Sequence, residues 1–160
     1  LPLLSHVGYE FSLIGKDQSL GDPDRLRPAL EEGVTVIAAH ACSYGLMLYE
    51  KFLPTLREFC LHYPNFYADI SALTQPHRMK MLLHLRHHPE LQSRLLFGTD
   101  YPLSVFHVAA WGRVGFDKLW NMIRTKNRFD RQVEVCSELN LGFRSFGDLL
   151  SESADGRINR

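Results

Sequence analysis

The sequence lacks an excess of charge of either sign, since 18 Lys and Arg residues stand against 18 Asp and Glu residues. Proteins that bind nucleic acid or anionic lipid usually carry a basic surface, so neither partner is expected. No apolar run reaches the about 18 residues of a membrane-spanning helix, and no basic segment precedes the short apolar start. These absences predict a soluble protein whose partner is a small-molecule substrate or another protein surface.

Cysteine is also scarce, and its spacing excludes two common motifs. Cys42, Cys60 and Cys136 form neither a CxxC pair nor a zinc ribbon. A reducing cytoplasm is therefore the simplest expected location. The chain starts at Leu1 without a methionine and enters an apolar run at once, which predicts that it begins inside a larger fold.

Apolar residues make up 45% of the chain, as in a globular domain, and many of them fall in four short runs. Each run ends in a polar residue and is followed by turn residues and a helical pattern. The runs cover residues 2–6, 34–40, 66–71 and 95–100, and their polar ends are His6, His40, Asp69 and Asp100. A spacing of about 30 residues suits a parallel strand with its crossover helix. The sequence therefore predicts an α/β domain of about four parallel βα units.

Helix signals fall between and after these runs. Asp22 and Pro23 predict the start of a first helix that Gly33 ends. A second helix is predicted over about 46–62, where Pro54 indicates a kink or a late start, and a third over about 76–88. Short helices are predicted at 119–123, 133–139 and 146–150. We predict one domain over residues 1–150 and a loosely ordered tail over 151–160.

The polar strand ends are the candidate site, because ligands of parallel α/β folds bind at the carboxyl ends of the strands. Alternation places Val34, Val36, Ala38 and His40 on one side of the second strand. A histidine at a strand end can instead be a hydrogen-bonded core residue, and Asp100, two residues before a proline, can belong to a turn. Metal-compatible groups at three or four separate strand ends favour a functional site.

The strand ends resemble those of the amidohydrolase superfamily. The matching segments are Ser5-His6-Val7-Gly8, Val36-Ile37-Ala38-Ala39-His40, Phe66-Tyr67-Ala68-Asp69-Ile70-Ser71 and Leu96-Phe97-Gly98-Thr99-Asp100-Tyr101-Pro102. The most similar subgroup is the amidohydrolase-related, decarboxylase-like branch of metal-dependent (β/α)8 barrels. The resemblance covers about residues 1–105. It implies a partial TIM barrel with strands five to eight and C-terminal helices.

Members of that family also carry an H-x-H pair on strand one, and this sequence has none. A complete barrel needs about 200 residues or more. The resemblance therefore implies the C-terminal half of a barrel. A missing N-terminal half would then complete the barrel, or the chain would assemble as a homo-oligomer.

The resemblance assigns roles to three residues. It implies that His6 binds zinc or another divalent metal, and that His40 is a second ligand or a catalytic acid that polarises the substrate. Asp100 would contact the metal and take a proton from its bound water. Imidazole and carboxylate suit zinc, which lowers the pKa of bound water to about 7. Asp69 and Ser71 are candidates to support these ligands.

The implied function is metal-dependent hydrolysis of an amide, ester or lactone. One alternative on the same fold is non-oxidative decarboxylation of an aromatic acid, and another is a catalytically silent half-barrel that acts only through assembly. Tyr9, Tyr44 and Tyr101 follow three strand ends and are predicted to line a pocket for an aromatic or carboxylated substrate.

Three further groups have both a structural and a functional interpretation. The spacing of His84, His87 and His88 allows a shared metal, although their place at a helix end favours an interaction with the helix dipole. Cys42 and His40, with Asp100 to orient them, would make a thiol hydrolase, but a small buried thiol needs no chemistry. The last group, Trp111, Phe116 and Trp120, is predicted to pack between the C-terminal helices.

Overall fold

The computed structural model describes residues 1–10, 17–46, 49–112 and 114–154 and contains one four-stranded parallel sheet. The strands lie side by side in chain order: β1 (Leu3–Ser5), β2 (Val36–Ala38), β3 (Phe66–Asp69) and β4 (Leu95–Leu96). In the register, Leu3 pairs with Val36, Val36 with Phe66, and Ala68 with Leu95. The predicted α/β class with a parallel sheet is confirmed, and the strands are shorter than the apolar runs.

Within the described segments, three α-helices connect the strands: α1 (Arg27–Glu31), α2 (Leu53–His62) and α3 (Met79–Leu85). The predicted helix-start signal at Asp22 and Pro23, which precede α1, is confirmed. The Asp22 carboxylate accepts a hydrogen bond from the main-chain N of Asp24 at 3.0 Å, and Pro23 opens a 3-10 turn that leads into α1. Gly33 follows α1 with a φ of +77°, a conformation that glycine adopts without steric cost.

Both α2 and α3 are shorter than predicted. Pro54 stands in the first turn of α2, where its missing N–H costs nothing, so the helix has the late start that this proline indicated. The segment before α3 is a turn instead of helix, since the carbonyl oxygen of Gln75 accepts hydrogen bonds from the N–H groups of both Arg78 and Met79. The helical part of this segment ends at Leu85, before His88.

In the described part of the chain, three α-helices follow the sheet: α4 (Phe116–Arg124), α5 (Arg128–Glu138) and α6 (Phe146–Ala154). The predicted short helices at these places are confirmed in type. The end of α6 includes the first residues of the predicted tail, and residues 155–160 of that tail lie outside the described part. Within the described residues, no helix has the length and apolar character needed to cross a bilayer.

The sheet is covered on both faces at β2, β3 and β4. Val36, Ala38, Phe66, Ala68 and Leu95 belong to the main core, together with buried residues of α1, α2 and α3 such as Leu30, Phe59 and Leu82. On the other face, Ile37, Tyr67 and Leu96 pack with Leu149 of α6. Alternation along the strands explains the division, because successive side chains point to opposite faces.

The two edges of the sheet differ. At the β4 edge, Arg144 donates from its main-chain N to the Leu95 oxygen at 2.8 Å and accepts from the Phe97 N at 2.9 Å. At the β1 edge, no further strand of the described residues continues the sheet. Leu3 and Leu4 of β1 are exposed, with 58% of Leu4 accessible. The apolar β1 edge is therefore open, whereas the β4 edge is occupied.

Candidate functional site

The turn after β2 carries His40 in an unusual backbone conformation. His40, Ala41 and Cys42 have φ values of 56°, 46° and 56°, so three consecutive residues other than glycine are left-handed. The predicted alternation along the strand therefore stops at Ala38 and does not reach His40. A left-handed residue with a side chain costs about 1–2 kcal/mol, so other contacts must hold this turn.

Asp69, the last residue of β3, holds the turn from the neighbouring strand. Its Oδ1 accepts the main-chain N–H of His40 at 2.9 Å and that of Ser71 at 3.0 Å. The Ser71 hydroxyl donates a short hydrogen bond to the same oxygen. Ser71 in turn contacts the Nδ1 of His40 through Oγ at 2.8 Å and through its carbonyl oxygen at 3.1 Å. All three side chains are buried.

His6 meets His40 at the carboxyl edge of the sheet. It directly follows β1, the neighbour of β2, and the centroids of the two imidazole rings are 5.0 Å apart with an angle of 73° between their planes. The structure thus brings together two histidines that lie 34 residues apart in the sequence.

Asp100 does not complete this pair. It is exposed and left-handed, with a φ of 57°, and its carbonyl oxygen accepts the N–H of Leu103 at 3.0 Å in a turn. Among the residues that the model describes, no three His, Cys, Asp or Glu side chains are close enough together to hold a metal ion. The structure therefore pairs two of the three predicted residues and places Asp100 in a turn.

The environment of His40 favours a neutral imidazole. Burial lowers the pKa of His40 below the usual range for histidine, and the positive charge of Arg78 lowers it further. The negative charge of Asp69 acts in the opposite direction but is outweighed. A neutral imidazole has one nitrogen free to bind a metal ion or to accept a proton.

Arg78, which no sequence pattern marks, connects three loops at this edge. Its side chain is 1% exposed. Nη1 donates to the carbonyl oxygen of Ser43 at 3.1 Å, while Nη2 donates to the carbonyl oxygen of Tyr9 at 3.3 Å and to Oε2 of Glu10 at 2.9 Å. Nothing in its sequence context distinguishes this residue from an exposed arginine.

Glu50 is a second buried charged residue that no sequence pattern marks. It accepts hydrogen bonds from Ser43 Oγ at 2.9 Å and from the main-chain N of Tyr44 at 2.7 Å. Burial raises the pKa of the Glu50 carboxyl, although these hydrogen bonds and the charge of Arg78 oppose the shift. Through these two hydrogen bonds, Glu50 stabilises the loop after β2 at Ser43 and Tyr44, which follow His40 in the sequence.

Gln132 of α5 joins the ends of two strands from the C-terminal helices. Its buried Nε2 donates to the carbonyl oxygens of Ile70 at 3.2 Å and Gly98 at 2.5 Å. An amide at this place therefore links the chain after β3 to the chain after β4. No pattern in the sequence predicted the burial of Gln132.

The three predicted pocket tyrosines separate into two groups. The rings of Tyr9 and Tyr44 are 4.9 Å apart, and both contact Phe52. Tyr101 is exposed and stacks on Phe129 with 6.3 Å between the ring centroids. Two of the three tyrosines therefore form one aromatic cluster beside the loops that Arg78 connects.

The histidine group at the end of α3 and the Cys42 thiol lack the geometry or the pKa that their functional interpretations require. His84, His87 and His88 do not form a metal-holding group, and His88 contacts Oε1 of Glu90 at 3.0 Å. Cys42 is fully buried, and burial raises the pKa of its thiol, whereas a nucleophilic cysteine needs a lowered pKa.

The prediction that Trp111, Phe116 and Trp120 pack between the C-terminal helices is wrong, because all three are exposed. Phe116 and Trp120, one turn apart on α4, stack on each other at 6.1 Å. Their common face of α4 is not the one that carries buried Met122.

Comparison of the chain with protein-family models, with curated proteins and with solved structures gives no match.

Proposed function

We propose that the chain is the C-terminal half of an amidohydrolase-like (β/α)8 enzyme that hydrolyses an amide, ester or lactone of a small aromatic or carboxylated substrate. The His6 and His40 pair carries the proposal, because two imidazoles 5.0 Å apart stand after neighbouring parallel strands. Ligand sites of parallel α/β folds lie at this edge. In this proposal, β1 to β4 correspond to strands five to eight of the barrel.

The side chains at the site meet some of the requirements for binding a divalent metal. A metal-binding histidine usually holds its second ring nitrogen in a hydrogen bond, as His40 does with Ser71. A catalytic zinc ion commonly has three protein ligands, and the described residues group two. The third would come from a moved Asp100 or from the other half of the barrel. Zinc, when bound, would supply a water of lowered pKa.

In the proposed reaction, each residue has one task. His6 and neutral His40, the latter through its free ring nitrogen, would hold the metal. Once its turn moves to the site, Asp100 would take a proton from water and return it to the leaving group. Tyr9 and Tyr44 contact an aromatic part of the substrate. The same residues would serve non-oxidative decarboxylation of an aromatic acid, so the reaction assay must include both chemistries.

Zinc titration by calorimetry tests the metal-binding part of the proposal. The purified chain is expected to bind close to one zinc ion, and His6→Ala and His40→Ala are each expected to weaken binding by tenfold or more. His62→Ala, which removes an exposed histidine of α2, serves as the matched control and should bind zinc like the parent chain. Equal zinc affinity in all four proteins would contradict the proposal.

An assay with small esters, lactones, amides and aromatic acids tests the reaction itself. Release of the acid product identifies hydrolysis, and release of carbon dioxide identifies decarboxylation. Either activity should disappear in His40→Ala and be unchanged in His62→Ala. Activity that survives in His40→Ala would remove this residue from the mechanism.

The open β1 edge favours a second candidate function, a catalytically silent half-barrel that acts by assembly. An exposed apolar strand edge is a ready template for a further strand. We commit to a second copy of the chain as the occupant. Arg144 occupies the β4 edge, so β1 of one copy would pair with β1 of another, and this contact closes as a symmetric dimer.

Sedimentation equilibrium tests this second candidate. Leu4→Lys places a charge on the β1 edge and should convert the dimer into a monomer. Leu61→Lys, at an exposed leucine of α2, is the control and should leave the dimer intact. A monomeric parent chain at high concentration would exclude this candidate. An active zinc-binding monomer would favour the enzyme.

A further inference from the structure

We infer that Ser71, anchored by Asp69, holds the ring of His40 with its hydrogen on Nδ1 and leaves Nε2 as the bare nitrogen. The two residues would therefore act as positioning residues for His40. The inference concerns the ring alone and stands whichever reaction the site performs.

Two oxygen atoms of Ser71 lie within hydrogen-bond distance of His40 Nδ1. The carbonyl oxygen, at 3.1 Å, can only accept a hydrogen bond, so Nδ1 must be the donor. The hydroxyl oxygen, at 2.8 Å, could donate or accept. Because the hydroxyl proton is already directed at Oδ1 of Asp69, which has no proton to give as a carboxylate, this oxygen accepts from Nδ1 as well.

Asp69 and the neighbouring strand keep Ser71 in this position. Oδ1 of Asp69 accepts from both the N–H and the hydroxyl of Ser71, so the backbone and the side chain are fixed together. On the side of β4, a Cβ at Gly98 would stand 3.2 Å from the Cβ of Ser71 and 3.3 Å from the Cγ of Asp69. The absence of a side chain at Gly98 lets the strand end approach this closely.

The same carboxylate oxygen also accepts the main-chain N–H of His40, which orients the residue at its backbone. His40 is thus held at two points, at its main chain by Asp69 and at its ring by Ser71. In the neutral ring, Nε2 is the nitrogen without a hydrogen. A metal ion or a substrate proton would therefore meet His40 at Nε2.

Nitrogen-15 NMR of the histidine side chains in the intact chain tests the inference. At alkaline pH, where histidines are neutral, the two nitrogens of a single tautomer resonate far apart. Loss of one signal in His40→Gln assigns His40. We expect an Nδ1 signal typical of a protonated nitrogen and an Nε2 signal typical of an unprotonated one. A protonated Nε2, or signals averaged between the two forms, would overturn the inference.

The variant Ser71→Ala tests the role of the hydroxyl. It removes one of the two acceptors of Nδ1, so the His40 signals should move towards the average of the two tautomers. His62, whose Nδ1 contacts the carbonyl oxygen of Glu58 at 2.9 Å, is the internal control and should not change. Unchanged His40 signals in a folded Ser71→Ala variant would show that Ser71 Oγ does not position the ring.

The outcome is separate from that of the zinc experiment. A chain that binds no zinc but shows the Nδ1-protonated tautomer would refute the proposed metal site and keep this inference. If Ser71→Ala does not fold, the spectrum of the parent chain still decides which nitrogen carries the hydrogen.

Discussion

The guanidinium of Arg78 donates a hydrogen bond across 3.1 Å to the main-chain oxygen of Ser43, from the segment before α3 to the turn after β2. The same side chain reaches the main-chain oxygen of Tyr9 after β1. One buried cation thus joins the loops that follow three strands, and Glu10 balances its charge through an ion pair of 2.9 Å. Arg78 therefore links the loops of the candidate site to one another.

Replacing Arg78 with alanine is expected to destabilise the fold strongly. The substitution removes the hydrogen bonds of Arg78 to two carbonyl oxygens and its ion pair with Glu10, and breaking a buried ion pair costs about 3–5 kcal/mol. Arg78→Lys keeps a charge for Glu10 but not the geometry for both carbonyl groups, so its loss should be smaller. Urea denaturation followed by circular dichroism measures both losses.

The control for this prediction is Arg57→Ala. Arg57 and Glu90 form an exposed pair with 3.8 Å between charged atoms, and exposed pairs contribute little to stability. If Arg78→Ala is as stable as Arg57→Ala, the connection of the three loops does not stabilise the fold.

A second prediction concerns Gly8, whose backbone packs against Ser43. Gly8 has a φ of +92°, and a Cβ there would overlap the carbonyl oxygen of Ser43. Gly33 has a similar φ of +77°, but a Cβ there would meet no atom within 4 Å. Gly33→Ala should therefore cost about 1 kcal/mol from backbone strain alone, and Gly8→Ala about 1–3 kcal/mol more from overpacking.

Thermal or urea unfolding of the two glycine variants measures this difference. Equal stability of Gly8→Ala and Gly33→Ala would mean that the loops after β1 and β2 do not approach each other as closely as described. Gly8→Ala should also weaken any activity, because the strain falls between His6 and Tyr9.

The buried carboxyl of Glu50 predicts a dependence of stability on pH. Its pKa is raised in the folded state, so the folded chain holds this proton to a higher pH than the unfolded chain, whose glutamate has a pKa of about 4.3. The contribution of Glu50 to stability is therefore complete below that value and declines as the pH rises through the folded pKa.

Glu50→Gln removes this titration and keeps both hydrogen bonds, because its amide oxygen can accept from Tyr44 N while its amide group donates to Ser43 Oγ. The stability of Glu50→Gln relative to the parent chain should increase between acidic and neutral pH. Urea denaturation of both proteins over that range is the measurement. A constant difference would show that Glu50 titrates normally in the folded chain.

Alternating apolar runs and turn residues were enough to predict the α/β class, the parallel strands and the cap at Asp22. They also predicted that His6, His40, Asp69 and Ser71 lie together, because parallel strands have their carboxyl ends at the same end of the sheet. These features depend on local chemistry and on the shared direction of parallel strands, so they can be predicted from a single sequence.

Contacts between distant loops could not be predicted in the same way. Arg78 reaches Tyr9 across 69 positions, and Gln132 reaches Ile70 across 62, and neither side chain has a local pattern that indicates burial. The left-handed turn at His40 was missed because no glycine marks it. The exposed Phe116 was missed because an amphipathic helix predicts that an apolar face is covered, but does not say by what.

The three cysteines give a last prediction, which separates the thiol hydrolase from the other functions. Cys42, Cys60 and Cys136 are free and buried in the structure. Burial raises the pKa of the Cys60 and Cys136 thiols to about 12 and moves that of Cys42 in the same direction. Because the thiolate is the reactive form, all three should react slowly with a disulfide reagent at neutral pH.

Ellman's reagent measures this reactivity in the native chain and in urea. The native chain should release little chromophore at first, and the unfolded chain should release three equivalents at once. Iodoacetamide should likewise leave any activity of the native chain unchanged. A single thiol that reacts quickly in the native chain, and is lost in Cys42→Ala, would instead give Cys42 the exposure and lowered pKa of a nucleophile and make His40 its base.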